Sequence, residues 1–165
     1  MAAEDDLRII AEQEKRLGFD SFDEDRAFRL GSTMRDIGLA GGHGITVDIR
    51  LWNRPMFLCA LPGSNGQNSE WARRKINVVG RYLKSTYRLV LEMKRPDATL
   101  APEQNLPLSE FVLAGGGFPI TVKGAGVVGA IAISGLPQRE DHVLVVRALC
   151  DHLGVDESGL SLPPQ

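Results

Sequence analysis

Apolar residues along the chain recur at two periods, and these divide it into elements. Leu7, Ile10, Ala11 and Leu17, with Glu14, fall mostly on one helical stripe, and Gly18 is placed to stop it. A second helix is expected from near Ser21, where Ala27, Leu30, Met34 and Ile37 recur at steps of three and four. Gly38 to Gly44, with Gly41 and Gly42, breaks that pattern. The period then changes to two. Ile45, Val47, Ile49 and Leu51 alternate with Thr46, Asp48, Arg50 and Trp52, which predicts a half-buried strand. After a turn at Asn53 and Arg54, Pro55 to Leu61 is almost wholly apolar, so this strand is expected to be covered on both faces, with Pro55 at its start.

Gly63 to Gly66 reads as a loop, and Asn68 or Ser69 can cap a long helix running to about Lys94. Ala72, Ile76, Val79, Leu83, Tyr87 and Val90 form its apolar stripe, and Pro96 ends it. Asp97 to Pro107 is a connector. Strands are expected at Phe118 to Lys123 and Val127 to Ser134, then a helix from about Arg139 to Leu153 with Val143, Val146, Cys150 and Leu153 buried and Gly154 as its C-cap. Residues 158–165 read as a loose tail. Short turns between adjacent strands imply an antiparallel sheet covered by helices. On the last strand, Val128, Ala130, Ala132 and Ser134 form a face of mostly small groups, which a helix, a ligand or another subunit must approach closely.

Composition adds limits rather than chemistry. The 165 residues suit a single domain, and 43% hydrophobic with 24% charged is ordinary for a globular chain. A formal net charge of -2 gives no global attraction to nucleic acid or to anionic membrane. No apolar run reaches the roughly 18 residues of a membrane span. The acidic N-terminus lacks signal-peptide order, so a cytoplasmic location is expected. Cys59 and Cys150 are far apart and lack metal or redox flanks, which favours buried reduced thiols.

The motifs are weak individually. Gly124-Ala125-Gly126-Val127-Val128-Gly129 fits a dinucleotide pattern, but a strand follows where that motif requires a helix, so it reads as a hairpin turn. Gly115-Gly116-Gly117 is either a nest of N–H groups aimed at an anion or a turn feeding a strand. Arg74, Arg81 and Arg88 recur every seven residues, as a basic strip or a solvated face. His43, in the glycine-rich loop at a strand mouth, is the candidate metal or haem ligand, against a plain polar surface residue. Glu140, Asp141 and His142 open the last helix, where its dipole favours negative charge. No nucleophile elbow, Walker loop or catalytic triad is present.

Three stretches carry a family resemblance: Gly116-Gly117-Phe118-Pro119-Ile120, Gly126 to Gly135, and Glu140-Asp141. Together they resemble the GlcG/HbpS-like family, also called the haem-degrading domain and similar to the C-terminal domain of PduO-type proteins. Lys75 resembles the lysine that family carries early in its long helix, and the run Asn68 to Asn77 points to an uncharacterised subgroup. The resemblance covers about Asp5 to Leu153. It implies an α+β domain of three layers, α/β/α, whose antiparallel profilin-like sheet has about five strands. N-terminal helices would span 5–38, a β-β-α-β-β-α core 44–153, and a tail 155–165. It also implies homo-oligomers and, for some relatives, haem or cobalamin-related ligands. The sequence departs from the family at Ala132-Ile133, where Gly-Val is usual before Ser-Gly, and it has no matching axial ligand.

The leading expectation is an oligomeric small-ligand-binding protein with haem as first candidate cofactor. Arg74 and Lys75 would meet propionates, and the Gly116-Gly117 turn with Pro119, Ser134 and Asp141 would complete the site, with His43 as metal ligand. Two rivals are a protein-interaction scaffold without ligand and an enzyme acting on haem or a small acid, the latter needing Lys75 or Asp141.

Overall fold

The computed structural model of the protein describes residues 2–165. Among them run α1 (Ala2–Arg16), α2 (Glu24–Ala40), β1 (Thr46–Leu51), β2 (Arg54–Ala60), α3 (Gly66–Tyr82), α4 (Thr86–Met93), a 3-10 turn (Pro102–Gln104), β3 (Gly117–Val122), β4 (Gly126–Ser134) and α5 (Gln138–Leu153). The strands form one antiparallel sheet in the order β2-β1-β4-β3. One face carries Val47, Ile49, Phe118, Ile120, Ile131 and Ile133 into the main core, where residues of α2 and α5 meet them. The other face presents Ala130 and Ala132 to Ala72, Ile76 and Val79 of α3. This is the α/β/α layering that the resemblance implies.

The sheet has four strands among the described residues, where about five were expected. Phe19 comes alongside Val122 as an isolated parallel bridge, but the chain then turns away so that the Asp23 side chain can accept the Arg26 N–H and cap α2. The two first strands exchange the burial their patterns suggest. β1 is central, so its polar positions Thr46 and Asp48 are as buried as Val47 and Ile49. β2 is the edge strand and is partly open despite its apolar composition, with Leu58 61% exposed. Strand order, which periodicity does not encode, decides this.

The long helix is broken. Leu83 adopts a left-handed conformation (φ 57°) at the end of α3, and α4 begins after Ser85. Glu14 of α1 holds the break: its carboxylate accepts the Ser85 N–H at 2.8 Å and pairs with Arg88 at 2.5 Å. Leu83, placed on the stripe by periodicity, is exposed as a result. In α5 the buried positions include Leu144, Val145, Ala148 and Leu149, whereas Val143 is 37% exposed. The C-terminal residues are not loose: Leu160 is fully buried in the main core and its carbonyl accepts from Gln13 Nε2 at 2.6 Å.

Candidate functional site

α3 is capped by a reciprocal pair: Asn65 accepts the Gln67 N–H at 2.9 Å and Asn68 accepts the Asn65 N–H at 2.8 Å. Its small and branched face then lies flat on Ala130 and Ala132, because neither sheet residue projects beyond Cβ. This close approach carries Lys75, beside that face, to the end of β4. Lys75 is 2% exposed, and its ammonium donates to the Ile133 carbonyl at 2.9 Å and to Asp141 Oδ2 at 2.9 Å. Asp141 stands in the first turn of α5, also 2% exposed along its side chain, and its Oδ1 accepts the Leu136 N–H at 3.0 Å. Gly116 covers the pair. A Cβ there would stand 2.9 Å from Lys75 Nζ and would collide with the Ile133 carbonyl oxygen.

Burial pushes the Lys75 amine down from its ordinary pKa and pushes the Asp141 carboxyl up, while their mutual attraction opposes both shifts. Lys75 and Asp141 form the floor of a cleft of about 250 Å³, with Ser134, Trp71, Asn68 and Gln138 among its walls.

His43 lies elsewhere. It lines a groove of about 480 Å³ with Ile37, Leu136, Val143, Leu144 and Arg147, continuing into a second recess of about 470 Å³ that shares Ile37, His43 and Arg147. Gly41 leaves room for the imidazole, since a Cβ there would strike the ring. Arg139, at the rim, is held by an ion pair with Asp6 and donates to the Tyr87 hydroxyl at 3.2 Å. Among the described residues, no three His, Cys, Asp or Glu side chains gather as a metal cluster.

The residues singled out from sequence therefore divide. Lys75, Ser134 and Asp141 share the small cleft, with Gly116 packed over the Lys75 ammonium. Gly117 and Pro119 are buried within β3. Two N–H groups of the glycine turn are taken up by side chains, Gly115 bonding Gln138 Oε1 at 3.1 Å and Gly117 bonding Thr86 Oγ1 at 2.9 Å. Arg74 lies over the Trp71 ring and donates to the Leu108 carbonyl at 2.9 Å, on the outer side of α3. The small-residue face of β4 is filled by α3, which leaves no slot there for a flat ring.

Several buried polar groups had no sequence signal. His142 is fully buried, its Nε2 lies 2.7 Å from Gln13 Oε1, and burial holds its pKa at about 3. Asp48, read as solvent-facing from strand alternation, lies under α3 with Arg50 Nε at 3.0 Å, and burial raises its carboxyl pKa. Arg147 was not singled out because nothing in a helical repeat marks which exposed arginine borders a groove.

The profile of the Haem degrading protein HbpS-like family matches residues 22–150. The UPF0303 protein mlr5144 of Mesorhizobium japonicum is 59% identical over 162 residues, 98% of this chain and 97% of that protein. Among solved structures, Ybr137w superposes with a TM-score of 0.80 at 26% identity, covering 88% of this chain and 87% of that one. PduOC in complex with heme superposes with a TM-score of 0.68 at 18% identity, covering 79% and 94%, a likeness of fold. No helix among the described residues is long and apolar enough to cross a membrane. With a matched profile over most of its length and a close full-length relative, the chain belongs to the HbpS-like haem-degrading protein family.

Proposed function

We propose that the protein binds haem or a related tetrapyrrole in the groove at His43. The observation that carries this reading is the juxtaposition, in one groove of about 480 Å³, of the His43 imidazole, an apolar wall and the Arg147 guanidinium. That volume lies within the range of about 300–1,000 Å³ usual for ligand sites. A neutral imidazole is a competent iron ligand, and a guanidinium pairs with a propionate carboxylate. Bound there, the group would supply iron-centred chemistry. His43 would orient it, Ile37, Leu136 and Val143 would exclude water from one face, and Arg147 would anchor its acidic edge. The family's description and the heme complex of PduOC support the same ligand class. The small cleft at Lys75 is too confined for such a ring.

Titration of the purified protein with haemin, followed by Soret absorbance, tests the proposal. The expected result is a saturable, stoichiometric shift that weakens at least tenfold in His43→Ala and is retained in Lys75→Met. A non-saturating change equal in all three proteins overturns it in favour of a scaffold without a ligand of its own.

Two further readings accompany this one. The open edge of β2, with Leu58 exposed, fits contact with a second copy of the chain, since an unpaired apolar edge strand is a template for association. Light scattering should then show an oligomer that Leu58→Asp reduces in mass; a monomeric wild type contradicts it. The unpaired thiols Cys59 and Cys150 fit a reducing compartment such as the cytoplasm.

A further inference from the structure

We propose that the cleft over Lys75, distinct from the His43 groove, binds a small carbonyl compound and that Lys75 Nζ condenses with it to form an imine. Three observations support this. Lys75 lines the cleft and has three N–H donors but, among the described residues, two acceptors, Ile133 O and Asp141 Oδ2, so one donor is left over. Asp141 stands 2.9 Å from its nitrogen and can hold the proton that a nucleophilic amine must give up. At about 250 Å³ the cleft is below ordinary drug-sized pockets, and its walls mix the Ser134 hydroxyl and the Asn68 and Gln138 amides with the Trp71 ring. That lining suits a polar aldehyde or oxo acid of a few carbons.

Asp141 Oδ2, 2.9 Å from Lys75 Nζ, can accept the Lys75 proton, and burial eases that transfer by lowering the proton affinity of the amine and raising that of the carboxylate. The free amine attacks the carbonyl carbon. A C–N bond forms, the C=O π pair moves to oxygen, and that oxygen takes the proton from Asp141. The Asp141 carboxylate then removes a proton from the nitrogen and delivers it to the carbinolamine hydroxyl. The C–O bond breaks, water leaves, and the nitrogen lone pair closes the C=N bond. The product is a cationic iminium paired with the Asp141 carboxylate, so the cleft regains the charge arrangement it had at the start. Leu136 N–H holds Asp141 Oδ1 and leaves Oδ2 facing the nitrogen throughout.

The test is reductive trapping on the native protein at neutral pH. Acetaldehyde and pyruvate, a neutral and an anionic probe, are supplied separately with sodium cyanoborohydride, and labelled lysines are located by peptide mass mapping. Lys75 is expected to be labelled about tenfold faster than the exposed Lys94 and Lys123 with at least one probe, and Asp141→Asn to remove that preference, since a positioned general acid contributes at least this much. Circular dichroism reports whether the variant is folded. Wild-type Lys75 labelled no faster than Lys94 and Lys123 by either probe overturns the proposal, whatever the variant does. Haemin binding is read separately and does not bear on the outcome.

Discussion

Lys75 Nζ and Asp141 Oδ2 stand 2.9 Å apart with both side chains withdrawn from solvent, joining α3 to the first turn of α5 across the end of β4. Removing one partner strands a buried charge. Lys75→Met alone or Asp141→Leu alone should therefore cost about 3–5 kcal/mol, while the double variant, apolar on both sides, should recover most of that loss. Urea unfolding of the three variants checks this. Additive losses would show that the two groups act independently.

Gly116 makes that approach possible. Its φ of +123° is closed to L side chains, and a Cβ would run into the Ile133 carbonyl and toward the Lys75 ammonium. Gly116→Ala should destabilise by at least about 2 kcal/mol, combining backbone strain with displacement of the ion pair. A thermal midpoint unchanged from wild type would contradict the geometry.

His142 should make stability depend on pH. Its folded pKa of about 3 lies below the unfolded value near 6.5, because burial excludes the charged ring and Arg139 repels it. Between these values the unfolded chain binds the extra proton, so stability falls as pH drops below about 6.5, by up to about 1.4 kcal/mol per pH unit. Urea midpoints at pH 7 and pH 5 should converge in His142→Leu relative to wild type. A variant that keeps the full wild-type difference would assign the dependence to other groups.

Leu160 lies beyond the last helix yet is fully buried in the main core, with its carbonyl tied to Gln13 of α1. Leu160→Ala should cost about 2–4 kcal/mol, as expected for a core leucine. An effect below about 0.5 kcal/mol in a urea titration would mean that the segment contributes little to the core.

The sequence by itself determined the element types and the antiparallel pairing, because apolar period and turn glycines are local properties. The alternation of Ile131 and Ile133 with Ala130 and Ala132 set two unlike faces on β4 before any neighbour was known. Of the residues expected at a ligand site, Lys75, Ser134 and Asp141 line one cleft, whereas Arg74, Gly117 and Pro119 lie outside it. Tertiary structure alone decided which element covers each face. Periodicity did not show that α3 would seal the small-residue face, that β1 rather than β2 would be central, or that Glu14 would break the long helix at Ser85. Nor did it separate His43 from Lys75 into two sites. The physical reason is range. Periodicity registers which side of an element is apolar, whereas the partners of Lys75, Glu14 and His142 lie 66, 71 and 129 residues away in the chain and meet only when the layers close.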